Sequence, residues 1–163
     1  MKKVFCLVLL LCLSLSIFPG ASASAEIGKS PVEVIRYADG SYMIVTVAEG
    51  PMTCAPNVAG TNAVASTKSG SKTYTHFNSS GTQLWSATLT ASFSYNGSTA
   101  SCTSANCSVS ISNNAWVVIS KSCTRSGNTA TANVTMGRQA AGITIQLIPI
   151  TITLSCDANG NLS

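Results

Sequence analysis

Apolar and polar residues alternate with a period of two through the middle of the chain. Trp85, Ala87, Leu89, Ala91, Phe93 and Tyr95 are interleaved with Ser86, Thr88, Thr90, Ser92 and Ser94, the pattern of a strand with one buried face. Asn96-Gly97 then signals a tight turn. A two-residue loop there sets Tyr95 opposite Ser98, Phe93 opposite Ala100 and Ala91 opposite Cys102, which places Cys102 on the core side. Upstream, residues 32–37 and 41–47 flank Asp39-Gly40 and predict a first hairpin. Further strands are expected at 107–111, 115–120, 130–136 and 143–156. In the last of these the apolar parity changes near Pro149, which predicts a bulge or an edge position. No stretch after the leader carries a helical period.

Residues 1–25 read differently. Lys2 and Lys3 precede an apolar run, and Ala21-Ser22-Ala23-Ser24-Ala25 has the small-residue spacing of a signal-peptidase site. A signal peptide over 1–25 is expected, cleaved after Ala25 or Ala23, taking Cys6 and Cys12 with it. The remainder divides into an N-terminal hairpin (26–50), a Pro-, Gly- and Asn-rich linker (51–70) and a β-sandwich body (71–163). Repeated short strands at single-domain length predict an all-β antiparallel sandwich, with a small β-barrel as the alternative. No later run is long and apolar enough for a membrane span. The mature chain is thus expected to be secreted and extracellular.

Charge narrows the chemistry. Seven basic residues (Lys29, Arg36, Lys68, Lys72, Lys121, Arg125, Arg138) face five acidic ones (Glu26, Glu33, Asp39, Glu49, Asp157), and no carboxylate lies between Glu49 and Asp157. A glycosidase needs two carboxylates about the scissile bond, and a hard-cation site needs clustered oxygen donors. The body offers neither. The basic residues are too scattered for a nucleic-acid footprint. Lys72, Tyr74 and His76 would share one strand face, either a solvated edge or a candidate binding face for an anionic surface polymer. Trp85 and Trp116 read as core rather than as ligand platforms.

Five cysteines remain after the leader: Cys54, Cys102, Cys107, Cys123 and Cys156. Cys102 and Cys107 are near metal-ligand spacing, but no second close pair completes a tetrahedral site. A catalytic thiol needs a base, and His76 is the only histidine. The segment Thr153-Leu154-Ser155-Cys156 superficially resembles the nucleophile strand of sortases, without a following arginine. Cys54 before His76 has the order of papain-like and wall peptidases, but no helix start to lower the thiol pKa. In an exported chain, disulfides are the expectation: Cys102 with Cys156, closing most of the body, and Cys107 with Cys123, flanking the turn at Asn113-Asn114. Cys54 is then the odd thiol, free or available for a disulfide-linked dimer.

The spacing of Cys102, Trp116 and Cys156 resembles an immunoglobulin-type domain, although Leu154 stands where a tyrosine corner would place tyrosine. The segment 69–102 together with the ending 153–163 resembles a group of small secreted β-rich proteins of Gram-positive bacteria with no assigned function. That resemblance implies export and a stapled β domain, and brings no catalytic residue. The sequence reading is a secreted, non-enzymatic binding or interaction module for an extracellular partner, with no cofactor. Its alternatives are an exported thiol-dependent enzyme using Cys54 or Cys156 with His76, and a secreted toxin or antimicrobial protein.

Overall fold

A computed structural model of the chain describes residues 32–53 and 65–163. The expected leader, its cleavage site and Cys54 lie outside the described residues. The described chain is all β, in eight strands: β1 (Val32–Arg36), β2 (Tyr42–Thr53), β3 (Ser66–Phe77), β4 (Gln83–Tyr95), β5 (Ala100–Ile111), β6 (Trp116–Ser126), β7 (Thr129–Ala140) and β8 (Ile143–Ser155). They form two antiparallel sheets, β1-β2-β3-β4-β5 and β6-β7-β8, packed face to face. The stretch expected as a linker over 51–70 is strand at both described ends, since 51–53 belong to β2 and 66–70 to β3. β2 and β3 pair along their length, so the N-terminal hairpin is part of the larger sheet.

The alternation in β4 buries Trp85, Ala87, Leu89, Ala91 and Phe93. Against them the smaller sheet presents Ala130, Ala132, Val134 and Met136 of β7 and Ile152 and Leu154 of β8, all buried. Alanines recur on both faces, so the two backbones can approach closely where the large rings do not meet. Leu84 and Trp85 are consecutive yet both buried, because the register slips between His76 and Phe77 and Leu84 occupies the bulge.

Turn chemistry sets the hairpins. Three have three-residue loops ending in a glycine of positive φ: 38–40 (Gly40, φ 80°), 79–81 (Gly81, φ 82°) and 158–160 (Gly160, φ 88°). In each, the glycine N–H bonds back to a carbonyl three residues earlier. Only glycine takes this conformation without steric cost. Asp39-Gly40 is therefore the end of a longer loop and not a two-residue turn. In the β4–β5 hairpin the central pair is Gly97-Ser98, one residue later than expected, with Asn96 N–H bonded to the Thr99 carbonyl at 3.1 Å. Tyr95 consequently pairs with Ala100, and Phe93 with Cys102. The slip leaves the strand parity intact, so Cys102 remains on the core side as expected.

The sheet order follows the sequence order without a crossover. This meander differs from the interleaved order of immunoglobulin domains. Trp116, expected to pack on an inter-sheet bridge, packs instead on Trp85 and His76. β8 is an edge strand of the smaller sheet, one of the two outcomes its parity change predicts. Ile148, Ile152, Leu154 and Cys156 are buried, whereas Ile143, Ile145 and Leu147 face outward. The bulge sits at Ile145, between the pairs Arg138–Gln146 and Gln139–Thr144, rather than at Pro149.

Candidate functional site

Two cross-strand rows meet at one end of the molecule. In the larger sheet Met43, His76 and Trp85 are direct neighbours across β2, β3 and β4. In the smaller sheet Trp116, Arg138 and Gln146 are direct neighbours across β6, β7 and β8. The β1–β2, β3–β4 and β5–β6 loops reach the same end, and a cleft of about 370 Å³ opens among these loops and rows. That volume lies within the range of small-molecule sites, roughly 300 to 1,000 Å³.

An aromatic cluster forms its floor. The His76 ring stacks on Trp85 (centroids 5.1 Å apart, planes at 23°) and meets Trp116 and Tyr37 edge-on, each at 5.6 Å. His76 is 2% exposed, and its Nδ1 has no hydrogen-bond partner among the described residues; nor does Trp85 Nε1 beside it. Burial pulls the His76 pKa below the ordinary histidine value, with the Asp39 carboxylate acting in the opposite direction. The imidazole is therefore neutral near pH 7.

The rim is polar, and its loops are fixed by their own side chains. Asp39 Oδ1 accepts from the Ser41 N–H (3.0 Å) and hydroxyl (2.6 Å). Asn78 Oδ1 accepts from the N–H groups of Ser80 (3.1 Å) and Thr82 (2.8 Å), and Asn113 Oδ1 from that of Ala115 (2.9 Å). These bonds determine the amide orientations and direct the Nδ2 groups of Asn78 and Asn113 away from their own turns. Asp39 keeps its second oxygen. Hydrogen bonding to Ser41 holds the Asp39 carboxyl below the usual carboxylate range, so it is ionised at neutral pH. Asp39 and Arg138 are both exposed, and neither has an ion-pair partner among the described residues.

Lys72, Tyr74 and His76 share a strand face, as their spacing requires, but it is the inner one. They pair with Val47, Val45 and Met43, and Gly70 on the same face abuts Leu162 and Leu154. The open basic strip expected there is absent, because β3 is an interior strand with β2 and β4 on either side.

The four described cysteines hold free thiols. Cys102, expected to bridge Cys156, lies instead near Cys123 and Arg125, whereas the neighbours of Cys156 are Asp157 and Lys68. Cys107 and Cys123 are neighbours, with Cys107 Sγ 3.6 Å from the Ser122 carbonyl, although β5 and β6 belong to different sheets and do not form the regular hairpin expected about Asn113-Asn114. Burial raises the thiol pKa values of Cys102, Cys123 and Cys156, which disfavours the nucleophilic thiolate. None of the four described cysteines lines the cleft that holds His76. Among the described residues no cluster of His, Cys, Asp or Glu fits a metal ion.

The sequence reading singled out His76 and missed Asp39, Asn78, Asn113, Arg138 and Gln146. The available signal was that three of these residues sit at strand turns that the meander brings to one end. Compared with known proteins, the chain matches no family model, no curated protein and no solved structure.

Proposed function

We propose that this chain is a secreted, non-enzymatic binding module, and that the cleft at its loop end is the binding site for an extracellular partner. The observation that carries this reading is the set of unpaired polar groups from separate loops and strands converging on one cleft above the buried His76. Ligand sites combine an apolar floor with a few such oriented groups. Secretion is supported by the leader-like pattern of residues 1–25.

Export also favours oxidation of the neighbouring Cys107 and Cys123, which we assign as a disulfide in the secreted protein. A thiol-enzyme reading draws less support, since Cys156 lies away from the His76 cleft and burial raises its pKa. Affinity capture from cell-envelope and culture material tests the reading. Retention of a partner by the wild-type chain and its loss on Arg138→Gln are expected. Retention unaffected by Arg138→Gln contradicts the cleft. A thiol alkylated faster than free cysteine at neutral pH, with that reactivity lost in His76→Ala, contradicts the non-enzymatic reading.

A further inference from the structure

We infer that the cleft takes a small zwitterion, a free amino acid or an unblocked dipeptide bound whole, with its carboxylate on Arg138 and its ammonium on Asp39. The inference rests on the cleft being the binding site, and it specifies what enters. Asp39 and Arg138 come from opposite sheets, border one cleft and are not ion-paired among the described residues. Opposite charges that share a cleft without neutralising one another match a ligand carrying both signs. A guanidinium suits a carboxylate because its planar fork can donate two parallel bonds.

The remaining polar groups agree in sign. Asn78 and Asn113 have committed their Oδ1 atoms to their own turns, so each can present Nδ2 as a donor on the rim of the cleft that Arg138 also lines. The acceptor side is Asp39, whose Oδ1 is engaged by Ser41 and whose Oδ2 is left to receive an ammonium. Gln146, the cross-strand partner of Arg138, can either donate or accept. The bulge at Ile145 lies next to this pair, in the position where bulges commonly re-aim a side chain toward a site. The neutral His76 ring below adds no charge to compete with either end of the ligand.

The full mature chain, labelled with ¹⁵N, would be titrated with the free proteinogenic amino acids and with glycylglycine. Each binder would then be compared with its carboxamide and its N-acetyl derivative, which lack one charge apiece. The expected result is amide and side-chain shifts centred on Asn78, Ser79, Asn113 and Arg138, with each derivative bound at least about tenfold more weakly, about 1.4 kcal/mol. Arg138→Gln should abolish the preference for a free carboxylate, and Asp39→Asn the preference for a free ammonium. Asparagine at position 39 can keep the Oδ1 contacts to Ser41, so loss of the turn is not the cause. Equal affinity for the derivatives overturns the inference, as does the absence of any cleft shift with these ligands. If glucose, run in parallel, or captured envelope material shifts the cleft while the zwitterions do not, the inference fails and the binding-site reading stands.

Discussion

His76 and Trp85 are direct cross-strand partners on β3 and β4, and their rings stack 5.1 Å apart, each with a buried nitrogen that no group among the described residues satisfies. A polar pair of this kind costs stability that an apolar pair would not. It also makes the fold sensitive to acid. The folded-state pKa of His76 lies below its ordinary value of 6.5, chiefly through burial. The unfolded chain therefore binds a proton first as the pH falls. Stability present above about pH 6.5 is lost on descending toward the folded pKa and then levels off. Urea unfolding at about pH 7.5 and about 5.5 should show a lower midpoint at the acid value. His76→Phe should remove that difference without weakening the protein at the higher pH. Asp39 and Asp157 titrate below 3.8 and do not contribute in this window.

The thiols give a second prediction. Cys107 and Cys123 belong to adjacent strands about the β5–β6 turn, and a bond between them would close a short loop worth about 3 kcal/mol in the chain-entropy model. Non-reducing peptide mapping of secreted protein should find Cys107 linked to Cys123 as the dominant internal bridge. A dominant Cys102–Cys156 link would contradict the arrangement of strands, because those two thiols have different neighbours.

Gly70 shows how tightly the C-terminal segment is held. A Cβ at this position would run into the Leu162 side chain and lie 3.2 Å from the Ala48 carbonyl oxygen. Ser163 meanwhile exchanges backbone hydrogen bonds of 2.9 and 3.0 Å with Ser155. Gly70→Ala should destabilise the fold by about 1 to 3 kcal/mol as overpacking. In a Leu162→Ala background the same change should cost less, a positive coupling that a double-mutant cycle in urea measures.

Ala141 is the only non-glycine among the described residues with positive φ (50°), at the first central position of the β7–β8 turn before Gly142 (φ 77°). Such a turn favours Asn-Gly, and the left-handed conformation costs an alanine roughly 1 kcal/mol. Ala141→Asn should raise the thermal midpoint by a few degrees, measurable by circular dichroism. A fall would show that the turn differs from the one described.

The strands were legible because β4 and the inward residues of β7 keep a strict period of two. Of the three loops ending in Gly40, Gly81 and Gly160, only the first was read from the sequence, as Asp39-Gly40, and its length was not. Loop length is decided by which carbonyl the glycine N–H reaches, and that depends on tertiary register. The described ends of the stretch expected as a linker are strand, and Ser- and Gly-rich 66–70 gains that geometry from pairing with β2 and β4, not from its own propensity. Gly70 there makes room for Leu162. In β8 the alternation of Ile143, Ile145 and Leu147 did not reveal that they are exposed, since periodicity shows alternate faces but not which one a second sheet covers. The cleft was the least legible feature. Asp39, Asn78, Asn113 and Arg138 are separated widely in sequence, and only the sheet order brings them to one end.

The most direct test of the account is to map where captured extracellular material touches the mature chain, by ¹⁵N chemical shifts. The account predicts perturbations concentrated on Ser41, Asn78, Ser79, Asn113 and the Trp116 indole, and largely lost in Arg138→Gln. Perturbations confined to the exposed Ile143, Ile145 and Leu147 of β8 or to the β1 edge, with the cleft silent, would contradict it.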